Sequence, residues 1–354
     1  MSQCTRSRCG ASLVTALLAC LLCLPGAASA KVVTDQHGTK VTIPDQVKRS
    51  VVLMHHAIDI AIQLGAQDQI VGVMGEWKKN LPGADKFMPQ LKTLPTPGEL
   101  ASVNMEALLA VKPDVVVMTH YAPKEMRQQI EAAGIPVVSV SLYEAEYEQA
   151  SRLNPKLKDP DEAYTRGMKA GILLLGEVYG KQERAKELVA AIEKNRGIVA
   201  KHLGSVADDK RVTCYMANPD LNTYGTGKYT GVIMDRAGGR NVAAEIDGYQ
   251  KVSMEDILRW NPQVIFVQDR YQAIIPEIMS DPAWAKIKAV KDKRVYLTPE
   301  FVKPWGHPTP ESMALGEIWM AKKLYPDRFA DVDMPALVNA YYTTFYGQPY
   351  SGEY

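Results

Sequence analysis

An internal repeat constrains this chain more than any other feature. Residues 104–118 (Asn-Met-Glu-Ala-Leu-Leu-Ala-Val-Lys-Pro-Asp-Val-Val-Val-Met) align without gaps on residues 253–267 (Ser-Met-Glu-Asp-Ile-Leu-Arg-Trp-Asn-Pro-Gln-Val-Ile-Phe-Val). In each copy Asn104 or Ser253 is placed to cap a short helix. Pro113 or Pro262 ends that helix, and a wholly apolar strand of the kind buried on both faces follows. Cap, proline and strand alone would describe many helix–strand units. The shared Met-Glu pair and the fixed length ask for two equivalent lobes.

The flanking sequence supplies both lobes with alternating elements. In the first half, β-branched runs at 50–54, 70–74, 115–119 and 137–140 read as strands, separated by helical patterns at 58–64, 105–111 and 124–133. The second half has strands at 211–215, 264–268 and 295–297, with helices at 230–237, 254–259, 274–279 and 310–325. Between them, residues 161–202 form a helical stretch interrupted near Gly180, with apolar groups at 185, 188, 189 and 192 on one face. The expected fold is α/β: two Rossmann-like lobes, each a mainly parallel sheet flanked by helices, joined by one long α-helix. The expected divisions are an N-terminal lobe at 31–165, a helical connector at 166–205 and a C-terminal lobe at 206–354.

Residues 1–30 read as an export signal. Arg6 and Arg8 precede an apolar run from Leu13 to Leu24, and Ala28-Ser29-Ala30 forms an A-x-A cleavage site. Cleavage after Ala30 predicts a periplasmic product. It removes Cys4, Cys9, Cys20 and Cys23, so Cys214 remains alone and no intramolecular disulfide can form. Losing two arginines and no acid takes the formal charge from +1 to −1, which argues against nucleic acid as a partner.

Enzyme signatures are missing: the chain has no G-x-S-x-G elbow, no H-E-x-x-H and no Walker loop. Gly225-Thr226-Gly227-Lys228 matches neither phosphate-loop spacing and reads as a loop before a helix. No catalytic residue is assigned. Polar and aromatic residues instead cluster just after strands, where open α/β sheets bind ligands. They are His55, His56, Glu76, Trp77, His120 and Tyr121 in the first half, and Tyr224, Tyr229, Arg270, Trp305 and His307 in the second. Four of the six histidines fall at strand ends, where imidazole can bind metal, stack or donate to an anion. His37 and His202 read as solvated.

In these features the chain resembles the periplasmic binding proteins of iron–siderophore, haem and cobalamin ABC importers, the class with a single rigid interdomain helix. The resemblance rests on Val41-Thr42-Ile43-Pro44 followed by Arg49-Ser50-Val51-Val52, then Leu64-Gly65-Ala66 with Ile70-Val71-Gly72-Val73. It continues through both Met-Glu units to Trp305 and Leu324-Tyr325-Pro326-Asp327-Arg328-Phe329. It implies a monomer without an intrinsic cofactor that passes a small metal complex, iron by default, to an ABC permease dimer, with an outer-membrane receptor upstream. By position, Glu106 and Glu255 match the acidic residues with which the family docks on its permease.

The ligand stays open at this stage. Where the family commonly has Pro-Arg after the late tryptophan, this chain has Pro308-Thr309-Pro310-Glu311, and only Arg270 is well placed among the arginines. A ferric siderophore is the default expectation by analogy. Haem, or a small oxyanion such as molybdate or tungstate, is the alternative. A secreted metal-dependent hydrolase using His55, His56 and His120 as ligands and Glu76 as base is the competing enzyme reading.

Overall fold

The computed structural model describes residues 1, 2, 29–146, 149, 152, 155–204 and 206–354. Most of the expected export signal lies outside the described residues. Strand β1 (Ala30–Thr34) starts at the expected cleavage point and pairs antiparallel with β2 (Lys40–Pro44).

The N-terminal sheet contains β3 (Ser50–Val52), β4 (Ile70–Val73), β5 (Val115–Thr119) and β6 (Val137–Val140), all parallel in the order β4-β3-β5-β6. Every residue of β3, β5 and β6 is buried, which is why these runs, Ser50 and Ser139 apart, are apolar or β-branched instead of alternating. Helices α1 (His55–Gln63), α2 (Trp77–Asn80), α3 (Met105–Ala110) and α4 (Lys124–Ala132) connect the strands. All nine residues of α1 are buried.

The connector, expected as a helical stretch interrupted near Gly180, is a helical hairpin. Helix α5 (Pro160–Tyr179) ends at Gly180, whose φ of 67° an L side chain adopts only with strain, and α6 (Gln182–Leu203) runs back alongside it. Lys169 pairs with Glu193 at 3.0 Å and Arg196 donates to Thr165 at 3.1 Å, which sets the two helices antiparallel. Both helices span both lobes. Tyr179 near the end of α5 meets Ser50 of β3 (3.0 Å), whereas Tyr164 near its start donates to the Gly227 carbonyl (3.1 Å). Twenty helical residues cover about 30 Å, enough to bridge two small lobes. Gly167 admits the close approach, because a Cβ there would overlap the Tyr143 backbone.

The C-terminal sheet contains β7 (Val212–Ala217), β9 (Gly239–Asn241), β11 (Val264–Val267) and β12 (Val295–Leu297), parallel in the order β12-β11-β7-β9. Strands β8 (Asn222–Tyr224) and β10 (Tyr249–Lys251) form a separate antiparallel ribbon. The helices are α7 (Tyr229–Arg236), α8 (Met254–Trp260), α9 (Ile274–Ser280), α10 (Lys288–Lys291), α11 (Glu317–Leu324) and α12 (Met334–Tyr346). Helix α12 returns to the first lobe, where Tyr341 and Tyr346 bond Gln63 of α1. One apolar core runs from Val33 through the hairpin to Tyr350, so the lobes share an interior.

Sheet register brings the candidate residues together. Val52 of β3 lies beside Val117 of β5, so residues 55–56 and 120–121 leave the same sheet edge. In the other lobe Val267 lies beside both Ala217 and Leu297, so residues 268–270 and the loop after 297 leave one edge likewise.

Candidate functional site

His55 and His56 occupy the first turn of α1, directly after Met54, whose extended backbone (φ −144°, ψ 117°) carries the chain out of β3. From the opposite lobe, the loop after β12 delivers Trp305 and His307. That loop is pinned from both sides. Thr230 donates to the Trp305 carbonyl (2.8 Å), Gln268 donates to the Pro304 carbonyl (3.0 Å), and the Tyr229 amide donates to the Gly306 carbonyl (3.1 Å).

The result is a chain of rings across the interlobe boundary. His55 and His56 have centroids 4.0 Å apart, and His56 meets Trp305 at 5.9 Å and His307 at 5.8 Å. His307 then meets His120 at 5.8 Å, Tyr143 at 5.9 Å and Tyr121 at 6.4 Å. All four imidazoles and Trp305 are buried. Nδ1 of His55 and both ring nitrogens of His56 and His307 are buried without a well-aligned hydrogen-bond partner. Buried polar atoms in native proteins are normally satisfied, so these nitrogens set this cluster apart from the rest of the interior.

Burial holds the imidazoles neutral. It takes His55 down to about 3 and His120 to about 4, and it holds His56 and His307 well below the ordinary histidine range. Nearby positive charge reinforces the effect: Arg270 acts on His55 and His56, and Lys228 acts on His307 and His120. Arg270 lies over the Trp305 ring at 4.7 Å, and the indole N–H donates to Asp269 at 3.1 Å. Lys228 is itself buried, and burial lowers its ammonium to about 8. Each neutral imidazole keeps one N–H donor and one acceptor nitrogen, and the neighbouring guanidinium and ammonium make the surroundings positive.

The other expected residues divide. Tyr224 packs against Tyr249 at a tilt, with centroids 4.6 Å apart, and lies close enough to Arg270 for its charge to be felt. Tyr229 packs edge-on to Tyr164 at 5.7 Å, behind the rings. Glu76 faces solvent and pairs with Lys79 at 3.5 Å, while Trp77 packs into the core of the first lobe. His120 is tied down, with Nδ1 donating to the Val140 carbonyl (3.1 Å) and Nε2 meeting the Tyr143 hydroxyl (2.8 Å). It shapes the cluster and has no nitrogen left over to ligate. That removes the His55–His56–His120 metal triad of the hydrolase reading. Among the described residues, no group of three or more His, Cys, Asp or Glu side chains is arranged to hold a metal ion. His202, expected to be solvated, stacks on Phe329 (5.1 Å) and bonds Asp331 (3.1 Å).

Lys228, Tyr143 and Tyr164 were not anticipated. Lys228 closes the Gly-Thr-Gly-Lys segment read as a plain loop; its position just before a helix and after a strand was the available signal. Glu106 and Glu255 are both exposed in the first turns of α3 and α8, the two copies of the repeat. Asn104 accepts from the Ala107 amide, and Ser253 forms a capping box with Asp256, as the repeat demanded.

Known proteins agree with this architecture. The family profile described as "Periplasmic binding protein" matches residues 51–301. The molybdate-binding protein MolA of Haemophilus influenzae is 52% identical over 338 residues, covering 94% of this chain and 96% of MolA. The solved structure of MolA bound to molybdate superposes with a TM-score of 0.88 over 91% of this chain and 100% of that one. A periplasmic solute-binding protein from Veillonella parvula is 25% identical, with a TM-score of 0.75 over 91% of this chain and 94% of that one. The Fe(3+)-citrate-binding protein YfmC of Bacillus subtilis is 23% identical over 268 residues, 75% of this chain and 77% of YfmC.

Proposed function

The chain belongs to the family of periplasmic binding proteins that serve ABC importers, and from that premise we propose that its cargo is a group-6 oxyanion, molybdate or tungstate. The carrying observation is the enclosed ring cluster, with partnerless nitrogens on His55, His56 and His307 flanked by Arg270 and Lys228. N–H donors and two cations supply what a dianion needs, and burial strengthens each interaction. MolA, at 52% identity, is named for binding molybdate, whereas YfmC, named for ferric citrate, shares 23%. The default expectation of an iron chelate therefore gives way to its alternative, with molybdenum or tungsten as the metal carried.

The chain is a binding protein and not an enzyme, in line with relatives that are all transport components. Glu106 and Glu255, one exposed on each lobe, are the proposed contacts to the permease. Arg substitutions there are expected to abolish uptake in cells while leaving oxyanion affinity unchanged.

Thermal unfolding with molybdate, tungstate, sulfate, phosphate and ferric citrate tests the cargo. A ligand at a hundred times its Kd adds about 2.7 kcal/mol of stability, so the two group-6 anions are expected to raise Tm by several degrees. Ala substitutions at His56, His307 and Arg270 are expected to remove that rise. Stabilisation by ferric citrate and not by molybdate would reject the reading.

A further inference from the structure

Directly behind the rings lies a buried ionic cluster that no part of the oxyanion reading uses. Lys303 pairs with Glu311 in a short contact and with Asp59 at 3.4 Å. Tyr346 donates to Asp59 (2.9 Å) and Glu311 (3.0 Å), and Gln63 donates to Glu311 (2.9 Å) and Asp59 (3.2 Å). Tyr341 completes the set by donating to Gln63 at 2.7 Å. All six residues are buried. Burying a lysine with two carboxylates carries a large desolvation cost, and well-packed apolar residues often do as well or better for stability alone. Lys303 also sits at a φ of 36°, a conformation that a residue with a side chain adopts at a cost.

The placement of these groups suggests what the cost secures. His55, Asp59 and Gln63 are spaced by four residues and share one face of α1. On the other wall, Lys303, Trp305, His307 and Glu311 come from a single segment. Lys303 also lies 5.5 Å from the Trp305 ring that Arg270 approaches at 4.7 Å. We propose that Lys303, Asp59 and Glu311 are positioning residues: a latch that holds α1, with His55 and His56, against the segment bearing Trp305 and His307, and so sets the spacing of the ligand-binding rings. The charges support this arrangement. Despite burial, the two carboxylates raise the Lys303 ammonium and keep it charged, while Lys303 keeps Glu311 low and Asp59 is pushed up to about 7.

The inference deepens the oxyanion reading, so its test includes a measurement made without ligand. In Lys303→Met, molybdate affinity by calorimetry is expected to fall more than about tenfold at temperatures where circular dichroism shows a native fold. Glu311→Gln sets an amide NH2 against one of the donors that Glu311 now accepts from and leaves Lys303 one carboxylate, and is expected to lower affinity in the same direction as Lys303→Met but by a smaller factor. In ligand-free protein, diethyl pyrocarbonate is expected to modify His56 and His307 faster in Lys303→Met than in the parent, with His202 unchanged as internal control. If Lys303→Met does not fold, the isosteric Asp59→Asn/Glu311→Gln double variant carries the same expectation. A native variant with parental affinity and parental ring protection would overturn the latch. Failure of the parent itself to bind molybdate would overturn the oxyanion reading instead, and the ring-protection result would still judge the latch.

Discussion

Substituting His55 by Phe isolates the energetic consequence of a closed ring cluster. Burial holds the His55 imidazole at about 3, whereas in the unfolded chain it returns to 6.5. The unfolded state therefore takes up a proton at a pH where the folded state refuses it, and falling pH favours unfolding. His55 contributes no pH dependence above about 6.5; its penalty grows steadily as pH falls toward about 3. Between pH 8 and pH 5 the penalty amounts to about 2 kcal/mol, at about 1.4 kcal/mol per decade below the unfolded value. Phenylalanine keeps a ring against Trp305, 6.0 Å from the present imidazole centroid, and cannot titrate. Urea unfolding of parent and variant at both pH values gives the double difference, in which contributions from Glu317 and other groups that do not touch His55 largely cancel. The variant is expected to lose about 2 kcal/mol less than the parent on going from pH 8 to pH 5. Equal losses, within about 0.5 kcal/mol, would mean that His55 titrates freely in the folded protein and that the rings open to solvent.

Three further expectations follow from local features. Lys228→Met removes one cation from the site and is expected to weaken molybdate binding about tenfold or more by calorimetry, since hydrogen bonds to charged groups contribute about 1.5–3 kcal/mol. With the ammonium lowered to about 8, parental affinity is expected to fall as pH rises past that value, and the variant to lack this limb. Gly167→Ala places a methyl group against the Tyr143 backbone and is expected to cost about 1–3 kcal/mol, read as a lower Tm; an unchanged Tm would mean that the helix shifts freely. Cys214 is buried, with its thiol pushed up to about 12, and is expected to ignore a disulfide reagent until denaturant is added. Stoichiometric labelling of the native protein would contradict its burial.

Much of the architecture was legible because it is written in local patterns. The strands at 115–119, 137–140 and 295–297 have the bounds their β-branched runs suggested. The repeat's capping residues do cap α3 and α8, and His55, His56 and His120 follow neighbouring strands at one sheet edge. Strand β9 escaped notice because Gly239-Arg240-Asn241 has no β-branched residue and owes its place to pairing with β7. The hairpin at Gly180 escaped because a glycine in a helical stretch marks an interruption without saying whether the chain bends or reverses.

The sequence by itself determined two α/β lobes, a helical connection and a set of histidine, tyrosine and tryptophan residues following the strands. Only the tertiary structure decided which rings are available and what stands behind them. His120 and His56 look alike in sequence, yet the first is held by Val140 and Tyr143 while the second packs among His55, Trp305 and His307. Lys303 meets Asp59 across 244 positions of chain, and Tyr346 meets Asp59 across 287. Contacts at that separation leave no periodicity or motif. They exist because two sheet edges and a returning C-terminal helix converge on α1, where burial makes each charge depend on its partner.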